Sequence, residues 1–219
     1  KELLNIIFVF CFDLNSYLQR KNPWGSIDAF LKAFPPFPKN QINYNVNLII
    51  KTFPPESENK DWNTLKQISA LDERIIILEN NLARDDLLKF YGCCDVFLSL
   101  HRSEGFGRSL AESFQLGLDV ISVNWSGNKD FCSGPLFHEI PYKLVSVPPG
   151  AYPHWPEQKW AEPNLDKASE ILKKVVEQRI IKRNNLNLYV KEYQNKFSMQ
   201  KCGQNYAKRL SEINLLNGD

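Results

Sequence analysis

Two glutamates eight residues apart, Glu104 and Glu112, bracket a Gly-Phe-Gly turn within SLHRSEGFGRSLAESFQLG, residues 99–117. Gly105 and Gly107, on either side of Phe106, let the backbone turn tightly and come close to a ligand. A helix pattern starts at once, from about Arg108 and Ser109 to residue 116. The free N–H groups and positive dipole end of such a helix favour a phosphate. Glu112 lies about one turn inside it and can face the same cleft as the loop. On pattern alone the same residues also describe a plain strand–turn–helix connection with two solvated glutamates. A second candidate is the basic pair Arg20 and Lys21 in the first loop, which reads either as an anion clamp or as a solvated surface pair.

These residues need a frame, and the hydrophobic pattern supplies one. Residues 5–12 (NIIFVFCF) form a nearly continuous apolar run, as in a strand buried on both faces. Further strands are predicted at 46–51 (VNLIIK), 74–78 (RIIIL), 96–100 (VFLSL), 119–124 (DVISVN) and 144–147 (LVSV). Helices are predicted at 23–34, 61–69, 84–91 and 108–116. Pro23 suits a first helical turn, and the PPFP segment at 35–38 ends that helix. This alternation predicts an α/β fold: a Rossmann-like parallel sheet of about six strands with helices on both faces. Residues 148–163 read as an ordered loop, and about 166–214 as two tail helices. The whole chain, 1–219, reads as one domain. In such sheets ligands bind outside the carboxyl ends of the strands. That places the 101–107 loop, after the fourth strand, at the expected site.

The run Glu104-Gly-Phe-Gly with Glu112 resembles the Glu-x7-Glu motif of family 4 glycosyltransferases, which have the GT-B fold. SYLQRKNPWGSIDAF (residues 16–30) is similar to the first loop and helix of their donor domain in bacterial polysaccharide or O-antigen assembly, mannosyltransferase-type members. NWSGNKDF (124–131), WAEPNLDKASEIL (160–172) and the tail near 197–210 are similar too. The resemblance implies the C-terminal, donor-binding half of a retaining glycosyltransferase that moves a hexose from a nucleotide diphosphate sugar to a growing glycan. It implies that Glu112 binds ribose hydroxyls and Glu104 sugar hydroxyls. Gly105, Phe106 and Gly107 should meet sugar and diphosphate, Arg108 and Ser109 should face the diphosphate, and Arg20 and Lys21 should neutralise it. Many members carry a Gly-Arg pair after the first strand. Here that region reads Asp13-Leu14-Asn15-Ser16-Tyr17, so either one phosphate-binding arginine is missing or Arg20 serves instead.

The resemblance also implies that an N-terminal acceptor domain is missing and that this chain alone transfers little or nothing. The partners expected are a GDP- or UDP-linked donor, GDP-mannose being favoured by the resemblance, and a glycan or glycolipid acceptor held by the missing domain. A different class stays open: a non-catalytic nucleotide-sugar-binding or scaffolding module of a glycan-assembly protein. A third reading is a GT-B-type epimerase, disfavoured because the Glu-Gly-Phe-Gly run with its eight-residue spacing fits the transferases better; what is encoded upstream of Lys1 separates the three.

Composition excludes other classes. With 27 basic and 25 acidic residues the net charge is +2, too balanced for a nucleic-acid surface. Cys11, Cys93, Cys94, Cys132 and Cys202 show no paired spacing and read as free thiols in a reducing compartment. No Asp-x-Asp pair occurs, so neither metal nor cofactor is expected. No run of 18 apolar residues exists. A cytoplasmic protein is expected, with at most peripheral contact at the inner face of the plasma membrane. His101 is read as a structural hydrogen-bonding residue, Asn80 and Asn81 as a turn, and Trp155 and Trp160 as packing residues. Asn124, Gly127, Asn128 and Asp130 read equally as sugar-pocket lining or ordinary loop polarity.

Overall fold

The computed structural model describes residues 4–36, 44–181 and 186–213. β1 (Leu4–Cys11) is the apolar run already noted. Two helices follow, α1 (Leu18–Lys21) and α2 (Pro23–Ala33). Next come β2 (Tyr44–Thr52), α3 (Lys60–Ser69), β3 (Ile75–Glu79), α4 (Arg84–Gly92) and β4 (Val96–Ser99). α5 (Arg108–Gln115) and β5 (Asp119–Val123) lead into a 3-10 turn (Ser126–Asp130). β6 (Phe137–Ile140), β7 (Tyr142–Ser146), β8 (Lys159–Pro163), α6 (Leu165–Ile181), α7 (Leu186–Lys196) and α8 (Met199–Glu212) complete the chain.

Six strands pair in parallel in the order β3-β2-β1-β4-β5-β6. The order reverses between β1 and β4, where Phe8 pairs with Leu48 on one side and Val96 on the other. β1 is apolar on both faces because both are covered. Ile6, Phe8 and Phe10 pack with Ile27 and Phe30 of α2, Trp62 and Leu65 of α3, and Leu172 and Val176 of α6. Val9 faces the other way, into a cluster with Tyr91 of α4, Leu110 and Phe114 of α5, and Val190 and Tyr193 of α7.

At the amino ends of the central strands, Arg179 of α6 spans two carboxylates. It bonds Asp95 at 2.9 Å and Asp119 at 2.6 Å. Asp95 also accepts from the Ile7 N–H at 2.9 Å, so the network ties α6 to β1, β4 and β5.

Three expectations need correction. The sixth sheet strand is β6, not residues 144–147. Those fall in β7, which pairs antiparallel with β8 in a separate ribbon (Val145 opposite Trp160). β6 is an edge strand whose FHEI pattern lacks a buried run, and Pro141, without an N–H donor, separates it from β7. The 148–163 loop therefore ends in a strand. The tail holds three helices among the described residues rather than two. Ser198 starts the third by accepting from the Lys201 N–H at 3.2 Å, and residues from 214 lie outside those described.

Candidate functional site

The carboxyl ends of β1, β2 and β4 surround a cavity of about 250 Å³. Its wall includes four cations, Lys21, Lys51, Arg84 and Arg108, and three carboxylates, Asp13, Glu104 and Glu112. The start of α5 completes it with Gly107, Ser109 and Leu110. Gly107 stands at φ 87 as the residue before the helix, a conformation that disfavours side chains, and no side chain caps the helix. The first intrahelical bond is Ala111 N–H to Gly107 C=O at 3.1 Å. The N–H groups before it have no intrahelical acceptor.

Asn22 brings the first loop to this edge. It sits in the left-handed region at φ 53, closing α1 and capping α2. Its amide donates to the Leu100 carbonyl at 2.8 Å, and the Arg102 N–H donates to the Arg20 carbonyl at 2.8 Å. The end of α1 is thus fixed beside the end of β4. Lys21 then reaches Glu104 at 2.5 Å, and Arg20 stands 3.6 Å from the same oxygen. Burial pushes the Glu104 carboxyl up, but the Lys21 charge and hydrogen bond outweigh it, with Arg20 adding to them. The net result is below the ordinary carboxylate range.

A second layer holds the Glu104 loop. The Gly127 N–H donates to the Glu104 carbonyl at 2.9 Å. A Cβ on Gly127 would overlap the Gly105 carbonyl, so the two chains meet too closely for any side chain. Asn128, fully buried, donates to the Val123 carbonyl at 2.8 Å, leaving its oxygen for His101 Nε2 at 3.4 Å. That oxygen can only accept, so Nε2 carries the proton and Nδ1 accepts from the Ser99 hydroxyl at 2.9 Å. Burial lowers His101 to about 4, and it stays neutral. His101 and Asn128 brace the loop from behind.

The predicted residues divide in position. Glu104, Gly107, Arg108, Ser109, Glu112 and Lys21 share the cavity. Gly105 is pressed on Gly127, and Phe106, half exposed, lies on the Phe131 ring with centroids 4.9 Å apart. Arg20 does not line this cavity: beside its 3.6 Å approach to Glu104 it donates to the Ser103 carbonyl at 2.7 Å and the Ser16 hydroxyl at 2.5 Å. Trp160 is buried, as expected of packing.

Two cavity residues were missed. Arg84 reads from sequence only as a helix start, yet it bonds Glu112 at 2.6 Å. Lys51, 2% exposed, is the last but one residue of β2 and donates to the carbonyls of Asn80 at 2.6 Å and Thr52 at 3.0 Å. It has no carboxylate partner among the described residues, and burial depresses its pKa. The signal for it was a lysine terminating an otherwise apolar strand, VNLIIK. Among the described residues no cluster of His, Cys, Asp and Glu is grouped to hold a metal ion, and no helix is long and apolar enough to cross a membrane.

The strand order 3-2-1-4-5-6, with an uncapped helix start at its switch point, defines a doubly wound, Rossmann-like α/β protein. The family model for glycosyl transferases group 1 matches residues 16–133, more than half of the chain, and the chain belongs to that family. Among solved structures it is similar to an α,α-trehalose 6-phosphate synthase from Burkholderia multivorans (TM-score 0.65, 13% identity), covering 97% of this chain and 44% of that one. It is similar to Anabaena HepE in complex with UDP and glucose (TM-score 0.64, 18% identity, 95% of this chain and 48% of that one). It is also similar to the lipopolysaccharide outer core galactosyltransferase WaaB (TM-score 0.64, 16% identity, 95% and 49%). The chain thus spans less than half the length of these structures. No curated protein matches the sequence.

Proposed function

We propose that this chain binds the nucleotide diphosphate sugar of a retaining glycosyltransferase that moves a hexose onto a growing glycan. The observation that supports this most is the cavity itself: an uncapped helix start, four cations and the two spaced glutamates on one wall. The diphosphate lies against the first N–H groups of α5, between Lys21 and Arg108. Ribose hydroxyls donate to Glu112 and sugar hydroxyls to Glu104.

In transfer, the bond between the anomeric carbon and the phosphate oxygen breaks, and its electron pair leaves with the nucleoside diphosphate. The acceptor hydroxyl adds to the anomeric carbon and its proton passes to the departing phosphate oxygen. The leaving group gains negative charge as the bond breaks, so fixed cations and N–H donors at that point lower the barrier. We assign this neutralisation to side chains rather than to a metal. Both glutamates start in ion pairs, Glu104 with Lys21 and Glu112 with Arg84. The ligand's hydroxyls and phosphates must enter between these partners. UDP and GDP donors both fit the reading; HepE, solved with UDP and glucose, supports a uridine donor. WaaB supports a hexose and a lipopolysaccharide-type acceptor. A second domain completes the cleft and contributes to acceptor binding, a reading supported by the length of the similar structures.

Calorimetric titration with UDP and GDP without metal, on the chain and on Glu112→Ala, tests this. The expected result is saturable binding of one nucleotide, weakened at least tenfold by the substitution. Absence of binding at millimolar nucleotide in a folded sample, or equal affinity in the variant, overturns it.

A further inference from the structure

A second cavity, of about 260 Å³, opens beside the first. The two share their dividing wall. Arg20 and Ser103 line the second, whereas their chain neighbours Lys21 and Glu104 line the first. Its remaining wall is the β7–β8 ribbon and the loop between them. The Val147 N–H donates to the Gln158 carbonyl at 2.9 Å, closing that loop. Within it His154 and Glu157 stand at φ 54 and φ 65, in the left-handed region that non-glycine residues seldom occupy. Such backbone persists where its surroundings over-determine it, as at ligand clamps. Trp160 forms the buried floor, with the Arg102 guanidinium 5.3 Å from its ring centre.

The lining chemistry is one-sided. Arg20, His154, Gln158 and Lys159 offer N–H donors, and no carboxylate lines the cavity itself, Glu104 meeting Arg20 at 3.6 Å from the first cavity's side. The buried Nε of Arg20 has no hydrogen-bond partner, and Lys159 has no ion pair among the described residues. The partly exposed Tyr152 ring supplies a flat apolar face, held by Tyr17 at 5.0 Å and by the Arg20 guanidinium at 5.8 Å. A donor-rich, acid-free pocket with an aromatic wall suits a ligand rich in acceptors, with a ring face to stack.

We infer that this cavity binds a negatively charged saccharide, a hexuronate or a sugar phosphate, as part of the acceptor. The inference rests on the donor reading above, because adjacency to Glu104 is what makes the occupant an acceptor. The sugar's apolar face lies on Tyr152, and its anionic group meets Lys159 and Arg20. The donor domain thus contributes acceptor specificity of its own.

The test titrates the chain with glucuronate, glucose 1-phosphate and glucose, followed by saturation-transfer NMR. Lys159→Gln and Tyr152→Ala remove the charge and the ring; Arg108→Ala alters only the first cavity. At least one anionic sugar is expected to bind, at least tenfold more tightly than glucose. Its affinity should fall at least fivefold in Lys159→Gln and in Tyr152→Ala, and hold in Arg108→Ala. Which probe binds separates the carboxylate from the phosphate source. No anionic binding to the wild-type chain, equal binding of glucose, insensitivity to both second-cavity variants, or loss in Arg108→Ala overturns the inference. Failure of the donor reading looks different: UDP and GDP do not bind while the anionic sugar still does.

Discussion

At the scale of single residues, the cavity is a set of charges whose partners were chosen before any ligand arrives. Glu104 and Glu112 are paired with Lys21 and Arg84, whereas the buried Lys51 ammonium rests on two carbonyls and no carboxylate. A buried cation without a counter-charge is costly in the free protein and gains from an acceptor on a ligand. Lys51→Met is therefore expected to weaken nucleotide binding about tenfold, the value of one charge-assisted hydrogen bond, while leaving the thermal midpoint unchanged or raised. Unchanged affinity in calorimetry would remove Lys51 from the site. His101 makes a pH prediction. Folding lowers it from 6.5 to about 4 by burial, so as the pH falls through that window the unfolded chain binds a proton that the folded chain refuses. Stability then drops on acidification, by about 3 kcal/mol over the full window. In His101→Gln that loss between pH 6.5 and 4.5 should be absent from denaturant titrations; an identical slope in both proteins contradicts the assignment.

At the scale of elements, the motif is held from behind rather than by its own contacts. The close approach of Gly127 to the Gly105 carbonyl fixes how far the Glu104 loop can retreat. Gly127→Ala must push the two chains apart. It is expected to lower nucleotide affinity at least tenfold with the helical circular dichroism signal preserved, and wild-type affinity would show that the loop is not so constrained. Arg179 does comparable work at the opposite edge. Arg179→Met leaves Asp95 and Asp119 without their cation, and a loss of about 2 kcal/mol in denaturant unfolding is expected; no loss would mean that solvent already satisfies both. Five sheet strands and four helices were legible because apolar runs and amphipathic stretches alternate cleanly. β6 was not, since an edge strand half in solvent needs no apolar run. The short α1 was not either, because it is set by Asn22 in the left-handed region and by its bond to Leu100, a contact 78 residues away. The cavity's lining was legible where local sequence builds it, from Glu104 to Glu112, and illegible where tertiary folding brings in Arg84 and Lys51.

At the scale of the whole molecule, the sheet order concentrates chemistry at one edge. The reversal between β1 and β4 leaves a crevice, and the loops after both strands converge on it, with β2 adding Lys51. The Gly127 and Asn128 turn after β5 stiffens the same edge, and the β7–β8 ribbon extends it toward the second cavity. The central claim is that a donor nucleotide occupies the first cavity, between the start of α5 and Glu112. The most direct measurement is an amide chemical-shift map of the chain titrated with UDP and with GDP. Saturable shifts are expected at Gly107, Arg108, Ser109 and Glu112, with Lys51 and Arg84 moving alongside. Shifts confined to the 147–158 loop, or none at millimolar nucleotide, would contradict it.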